Sequence, residues 1–390
     1  MGWKNPTEIA ELRVNGMPYR DWTAVTVVDD TDQANPYFSF ECTEFSPTPV
    51  SFAAMQIAPG DKCEIMLGGK LALTGFVMER QVGYAGKEHS ILISGTSTTY
   101  NTAISSIKPD TNGNYDGMSL EQLAKKAAGY HGVNVKTIGK IPGKVFKELQ
   151  HNPGELTYNF IERACRMRDV KLGSDALGNL LLIGDHDANP VGELIEGKNI
   201  LRASCVIRDT HFYERHFSIG NGASHDDKNM DPANKNVGEA PGKGKRPVWW
   251  IDFIDIPTAD KQEYQWRADT SRRVFEGSEV QANITVQGWV QGNGDLWKAR
   301  ETYHVKSPML ILDNNLTCKK VTYDQRDGAG TTTTLEMVNP LYMKAHAPFA
   351  KPASGDTPVV KTSGDPGKSV FDAGTTPIVG TTPDQKGPLG

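Results

Sequence analysis

The stretch that most constrains this chain runs from residue 278 to residue 342, where short apolar alternations are separated by turn residues. Ile284 and Val286 alternate with polar neighbours, which is the period of a β-strand with one buried face. The glycine-rich segment 292–295 supplies the residues that a hairpin turn needs. The same criteria predict further strands at 303–305, which Pro308 ends, and at 316–323 and 331–338, which pair across a glycine-containing turn.

A second stretch, residues 25–99, follows the same plan of strands and glycine turns, and a segment with helical spacing separates the two. The predicted fold class is therefore mainly β with an α+β insert: two related antiparallel β-barrel domains flank a mixed domain, and an extended C-terminal arm follows. The predicted divisions are a first β-barrel domain at 1–105, an α+β insert domain at 106–200, a second β-barrel domain at 201–345 with a long polar loop at 220–247, and the arm at 346–390.

Helical signals are confined to the predicted insert. Ser119 and Gln122 form a capping box before apolar residues at helical spacing, and Gly132 is placed to end that helix. A second helix is predicted over 155–168, and a turn at Gly178 leads into a strand at 180–183. These elements predict a small α+β domain packed against the barrels.

Two segments lack the apolar residues needed for a core. The polar loop at 220–247 has almost none, and the arm at 346–390 is rich in proline and glycine. We expect the first to be a surface loop and the second an extended, partly polyproline-like arm. Partner subunits are the expected means of ordering the arm.

Composition excludes several function classes. The chain has 390 residues and a formal net charge of -5, so no overall positive field favours nucleic acid or anionic membranes. Its five cysteines are scattered and show no metal-binding spacing, which is typical of reduced cysteines made in a cytoplasm. No window approaches the ~20 apolar residues of a membrane span, and the start has no signal-like apolar region. We expect a soluble protein without a classical export signal.

One segment imitates a calcium loop. Asp110, Asn112, Asn114, Asp116 and Glu121 occupy ligand positions of an EF-hand-like spacing. The position that requires glycine holds a tyrosine instead, and a proline directly upstream disfavours the entering helix. A polar turn before a capped helix is the preferred interpretation, and calcium binding stays an open alternative.

Other chemical motifs are weak. His211, Glu214 and His216 are close in sequence, but strand alternation would turn the two histidines to opposite faces. The sequence shows no nucleophile motif and no phosphate-binding Gly-Lys-Ser/Thr ending, and the basic segment 242–246 is interpreted as a solvated loop. No two of the acidic residues stand out in the sequence as the paired carboxylates of a hydrolase. We therefore predict no catalytic, cofactor-binding or metal-binding residue.

Four tryptophans are candidates for subunit interfaces. Trp289 and Trp297 flank the predicted hairpin turn, while Trp249 and Trp250 restart the packed part of the chain after the polar loop. Large aromatic residues at strand ends either fill a core or seal a subunit contact. Packing and interface roles both stay open for these residues.

Five stretches, in fixed order, resemble a known family. They include "WTAVTVV" near residue 25, "SLEQLAKKAAGYHGVNV" in the insert and "VQGWVQGNGDLWKARETYHVKSPML" in the second β region. Together with the long strand region near residue 75 and the second predicted helix, they are similar to the baseplate hub protein of contractile-tailed bacteriophages of the Mu type. The family also resembles hub proteins of type VI secretion and other contractile injection systems. The resemblance covers about residues 10–345.

This resemblance implies a structural virion protein. It implies a homotrimeric hub in which two barrels from each of three subunits form six similar positions and connect the sixfold tail tube to the threefold central spike. The implied location is the tail baseplate of the virion, after synthesis and assembly in the host cytoplasm, with tube and other baseplate proteins as further partners and DNA passing through the channel. A tail-associated peptidoglycan hydrolase and a glycan-binding module are the alternatives.

Overall fold

The computed structural model describes residues 5–43, 57–85, 88–108, 114–185, 189–209, 211–220, 237–254 and 261–343. The predicted arm at 346–390 and much of the predicted polar loop at 220–247 lie outside these ranges. None of the helices within them is long and apolar enough to cross a lipid bilayer.

The first region is built almost entirely of antiparallel strands. A short 3-10 helix, Pro6–Glu8, precedes them, and a helix, α1 (Tyr100–Ile104), ends the region. The strands are β1 (Ala10–Val14), β2 (Met17–Tyr19), β3 (Ala24–Asp30), β4 (Tyr37–Thr43), β5 (Lys62–Leu67), β6 (Lys70–Ala85) and β7 (Glu88–Ser97).

The insert confirms the predicted helices and the strand at 180–183. Ser119 and Gln122 form the capping box of α2 (Leu120–Gly129), and its buried leucines and alanines face a second core cluster. Gly132 has a φ of +70°, a left-handed conformation that favours glycine after a helix. The remaining elements are β8 (Val135–Ile138), α3 (Thr157–Arg166), β9 (Lys171–Ser174) and β10 (Leu180–Ile183), and the three strands form one small sheet.

The last region contains nine strands and two helices among its described residues. The strands are β11 (Pro190–Ile195), β12 (Arg202–Ile207), β13 (Arg215–Gly220), β14 (Gly238–Pro241), β15 (Trp249–Ile254), β16 (Val280–Gln287), β17 (Thr302–Ser307), β18 (Leu312–Arg326) and β19 (Gly330–Val338). The helices are α4 (Lys261–Gly277) and α5 (Pro340–Met343).

Strands from both β regions join into a single 13-stranded sheet, called here the large sheet. Its main path is β12-β16-β19-β18-β3-β4-β7-β6-β5-β1-β2, and β17 and β11 branch from β18. The mainly β class is confirmed, but the ladders of the described strands do not close into the two predicted barrels. The reason is the length of β18: along one edge it pairs first with β17 and then with β3, so this edge joins the two regions.

The strand predictions of the second β region were right in position and partly wrong in pairing. The strands β17, β18 and β19 lie where expected, and β18 and β19 pair across the predicted turn. The predicted hairpin around 292–295 does not pair β16 with β17. Instead, Val290 and Leu296 form a bridge across a local turn, while β16 pairs with β12 and β19.

The 17-residue helix α4 was missed in a region predicted to be strands. Its buried positions include Glu263, Thr270, Ser271 and Glu276, so the apolar period that normally reveals a helix is weak. Strand β14 also contradicts the predicted loop at 220–247. Gly238, in β14, lies so close to α4 that an added Cβ would be 2.0 Å from the Tyr264 carbonyl oxygen.

A second sheet, called here the small sheet, packs on α4. Its order is β14-β13-β15, with β14 antiparallel and β15 parallel to β13. Side chains on alternate positions of these short strands therefore face either α4 or the opposite side.

Candidate interaction surface

The predicted tryptophans divide between the core and the surface. Trp289 is fully buried and Trp297 is nearly so, both within the core of the large sheet. The Trp297 ring packs against Tyr303 with 5.3 Å between centroids, and the Tyr323 hydroxyl donates a hydrogen bond to the Trp297 carbonyl. Within a single chain, these two side chains fill space in the core.

The other two tryptophans are neighbours in β15 and face opposite sides of the small sheet. Trp250 lies 5.0 Å from Phe275 of α4, centroid to centroid, and so belongs to the face that packs on the helix. Trp249 is 61% exposed. Of the four tryptophans predicted as interface candidates, Trp249 is therefore the one best placed to contact another protein.

Trp249 belongs to a continuous apolar surface. Ile251 and Phe253 follow it on the same face of β15 and are 58% and 52% exposed. In the neighbouring strand β13, Phe217 pairs with Ile251 and Ile219 pairs with Phe253, and both are half-buried. We call these five side chains the outer face of the small sheet.

The face that packs on α4 is more polar than the outer face. Asp252 forms an ion pair with Arg267 of the helix and accepts a 3.1 Å hydrogen bond from Ser271. His216 and Ser218 of β13 are also buried there. Burial, followed by the nearby positive charge of Arg272, lowers the pKa of His216 to about 4, so its imidazole is neutral at physiological pH. The side of the small sheet that packs on α4 thus contains polar residues beside Trp250, whereas the outer face exposes apolar residues.

A second exposed apolar feature lies in the turn between β17 and β18. Met309 and Ile311 are 83% and 86% exposed, more than any other exposed large hydrophobic residue in the described ranges. Ile311 has a φ of +57°, which is unusual for a β-branched residue. The Glu196 carboxylate holds the turn, because it accepts hydrogen bonds from the Ser307 hydroxyl at 2.5 Å and the Met309 amide at 3.1 Å. We call residues 308–311 the apolar knob.

The insert is attached to both β regions through a buried ionic junction. Asp32, which follows β3, lies 3.3 Å from Lys171 of β9 and 2.8 Å from Lys319 of β18, and accepts a hydrogen bond from the Tyr342 hydroxyl of α5. Burial alone would raise the pKa of Asp32, but Lys171, Lys319 and the hydrogen bonds outweigh it and lower the pKa to about 2. These four side chains connect the first β region, the insert and the last region of the chain.

A second junction links the insert to α4. Arg168 is almost fully buried and lies 2.5 Å from the Glu263 carboxylate, while its guanidinium stacks over Phe146. Asp169, the next residue, forms an ion pair with Arg273 and accepts a hydrogen bond from Thr270. These polar contacts explain why α4 has a polar buried face.

A cleft of about 480 Å³ lies where the insert meets the two β regions. Its carboxylates are already engaged: Asp29 binds Arg300, Asp175 binds Asn179 and Lys136, and Glu301 accepts from the Tyr303 hydroxyl. Carboxylates held this way act as structural acceptors. Among the described residues that line it, the cleft therefore offers no pair of free carboxyl groups for glycoside hydrolysis.

The histidines of the weak cluster are not placed as strand alternation predicted. His211 precedes β13, and its ring lies 5.5 Å from that of Phe275; the His216 ring lies 5.8 Å from the same ring. The expectation that strand alternation turns His211 and His216 to opposite faces was therefore wrong. Within the part of the chain that the structure describes, no group of three or more His, Cys, Asp or Glu residues is arranged to hold a metal ion.

The calcium-like segment is only partly described, because Asp110 and Asn112 lie outside the described residues. Asp116 accepts a 2.6 Å hydrogen bond from the Leu149 amide, and Glu121 pairs with Lys125 one turn along α2. Tyr115, at the position that calcium loops give to glycine, is buried against Phe160. The described carboxylates thus make structural contacts.

Sequence reasoning missed the knob and the Asp32 junction. Met309 and Ile311 are apolar residues next to a proline in a turn, which was a visible signal. The Asp32 junction joins residues more than 130 positions apart, and no local pattern marks it.

Comparison with known proteins identifies the class of protein to which this chain is similar. Three domain models match: the N-terminal domain of the Mu phage baseplate assembly protein GpP-like family at residues 9–97, the second domain of the baseplate hub protein gp44-like family at 104–184, and the fourth domain of the Mu phage baseplate assembly protein GpP at 258–344. The small-sheet strands lie between the second and third matches.

Similar whole proteins agree with these matches. The baseplate hub protein gp44 of Escherichia phage Mu is 25% identical over 336 residues, which cover 84% of this chain and 86% of that protein. A 43 kDa tail protein of prophage MuSo2 from Shewanella oneidensis has the same fold, with a TM-score of 0.72 and 21% identity over 87% of this chain and 100% of its own. A tail protein from Neisseria meningitidis gives a TM-score of 0.71 at 17% identity, covering 86% and 98% of the two chains.

The fold and these matches define a structural protein of a phage tail. More specifically, the chain belongs to the family of Mu-type baseplate hub proteins, as its resemblance predicted. It is therefore a component of the virion tail baseplate.

Proposed function

We propose that three copies of this chain form a ring that connects the sixfold tail tube to the threefold central spike. The observation that carries the proposal is family membership together with two strand-rich regions in every chain, which give six positions in a trimer. The two regions are joined through β18 and β3, so one chain presents both as a continuous structure. A cyclic trimer is a closed assembly and limits its own growth.

A component of a related machine has a similar fold. It is a type VI secretion component of E. coli, described as structurally similar to the T4 phage tail proteins gp27 and gp5, with a TM-score of 0.53 over 84% of this chain. The connection to a spike is what the family resemblance implies, and it enters here as part of the proposal.

The role is mechanical, with no reaction at its centre. The carboxylates of the cleft between the insert and the β regions are used in ion pairs and hydrogen bonds, which argues against a tail-associated peptidoglycan hydrolase. Exposed Trp249 fits a glycan-binding module in one respect. However, Ile251 and Phe253 extend the apolar surface beyond Trp249, and the polar Arg215 beside it is held in an ion pair with Glu239, so the surface favours a protein partner.

The proposal is tested by the mass of the purified full-length protein in light scattering, with added spike protein in a second sample. We expect a mass three times that of the 42.7 kDa chain and co-migration of the trimer with the spike. A monomer at micromolar concentration, or a trimer that does not bind the spike protein, would contradict the adaptor role.

The arm at 346–390, outside the described residues, is proposed to contribute to attachment. Deleting it is expected to leave the trimer folded and to weaken binding to the spike or neighbouring baseplate proteins. Unchanged assembly of tails containing the deletion would remove this role.

A further inference from the structure

The small sheet places polar residues on the side that packs on α4 and leaves large apolar residues on its outer face. In β15, the half-buried Asp252 faces α4 together with Trp250, while Trp249, Ile251 and Phe253 are exposed on the other side. In β13, His216 and Ser218 are buried, while Phe217 and Ile219 belong to the outer face. Polar residues normally occupy the solvent side of a sheet, because burial of apolar area favours folding. The outer face therefore has the composition of a surface that is covered in the assembled protein.

Two further properties mark the outer face as a protein contact. Among the described residues, β15 pairs only with β13, so it is an edge strand with an exposed apolar side. Natural proteins seldom leave such edges uncovered, because they aggregate. At one end of the face, Arg215 and Glu239 form a 2.6 Å ion pair in which both side chains are about half exposed. An apolar centre beside a polar margin is the usual anatomy of an interface.

The same chain carries a surface of matching chemistry. The apolar knob presents a thioether at Met309 and a branched aliphatic group at Ile311, and no described contact within the chain buries either one. Glu196 fixes the turn, so the knob is ordered before any contact forms. Methionine sulphur packs favourably against aromatic rings, and the outer face offers Phe217, Trp249 and Phe253.

We infer that the apolar knob of one copy packs on the outer face of the small sheet of the next copy. This inference rests on the proposed trimer and adds the side chains that form one of its contacts. The two surfaces are different parts of the chain, so the contact is heterologous, and three such contacts close a ring. Each copy then uses its knob once and its outer face once, and both exposed apolar features become buried.

The test uses two full-length variants, each impaired on one surface. Trp249→Glu places a charge on the outer face, and Met309→Glu with Ile311→Asp alters the knob. Aspartate tolerates the left-handed conformation at position 311 better than isoleucine, so the second variant is expected to fold. Met17→Glu is the matched control, because Met17 is 63% exposed and lies in β2 of the large sheet, which belongs to neither surface.

Light scattering at a concentration where the wild type is trimeric gives the readout. We expect each variant to lose trimer by roughly tenfold or more, with unchanged circular dichroism, while Met17→Glu stays trimeric. An equimolar mixture of the two variants retains one intact contact and is expected to form a dimer. In addition, a photo-crosslinking amino acid at position 309 of the otherwise wild-type chain is expected to label the β15 peptide of another copy.

The contrary outcomes are distinct. A trimeric wild type whose two variants also remain trimeric, or a crosslink that maps to a tube or spike protein, would overturn this contact and leave the hub proposal standing. Monomeric variants whose mixture stays monomeric would overturn the pairing of knob and face. A monomeric wild type would overturn the contact and the proposed trimer together.

Discussion

The large sheet and the small sheet use aromatic residues in opposite ways. The large sheet encloses Trp289 and Trp297 in a core shared by both β regions. The small sheet buries Trp250 against α4 and leaves Trp249 beside it exposed. The difference indicates that the described residues of one chain bury the tryptophans of the large sheet, whereas the outer face of the small sheet is suited to a contact that these residues do not supply.

The largest expected effect comes from removing a core tryptophan. Trp289→Ala deletes the largest fully buried side chain and leaves a cavity, so the free energy of unfolding should fall by about 3–5 kcal/mol. Urea unfolding followed by circular dichroism measures the change. A loss below about 1 kcal/mol would show that the core of the large sheet is not continuous around Trp289.

The next effect concerns the junction that attaches the insert. Asp32→Ala leaves Lys171, whose side chain is only 4% exposed, without its carboxylate partner, and we expect a loss of about 3 kcal/mol. The control is Asp295→Ala, because Asp295 pairs with Lys70 at the surface and an exposed pair contributes at most about 1 kcal/mol. Equal losses for the two variants would contradict the structural role of the junction.

The same junction predicts a smaller dependence on pH. The pKa of Asp32 is lowered to about 2 in the folded chain, and an unfolded aspartate has a pKa near 3.9. The stabilisation is therefore fully present above about pH 4 and is lost as the pH falls towards 2, a change of about 2 kcal/mol. Unfolding measured at steps between pH 5 and pH 2 should decline more steeply for the wild type than for Asp32→Asn, and parallel curves would refute the assignment.

The smallest effect on stability is expected at the exposed tryptophan. Trp249→Ala, measured at dilution where the chain is monomeric, should change the free energy of unfolding by no more than about 0.5 kcal/mol. A loss similar to that of Trp289→Ala would show that the outer face is packed within the single chain and would remove the contrast between the two sheets.

Local patterns predicted those elements whose residues follow simple periods. The capped helix α2 and the strands β17 to β19 were found because apolar spacing and turn residues agree there. Helix α4 was missed because ion pairs and hydroxyl groups, together with apolar residues, fill its buried side. Closure into barrels failed as a prediction because part of one edge of β18 pairs with β3, which lies some 300 positions away in the sequence.

The candidate surface shows a different limit of sequence reasoning. In β15, alternation alone would bury Trp249, Ile251 and Phe253, because Asp252 lies on the other side of the strand. The structure buries the Asp252 side instead, since Arg267 of α4 neutralises the carboxylate. In the proposed contact, another copy of the chain covers this apolar side of the strand.

Electron microscopy of the assembled particle around this chain tests most directly whether this hub joins two symmetries, as proposed. We expect three copies in a ring, with six similar positions facing the tube and threefold symmetry facing the spike. A ring of any other copy number, or a single copy beside the axis, would contradict it.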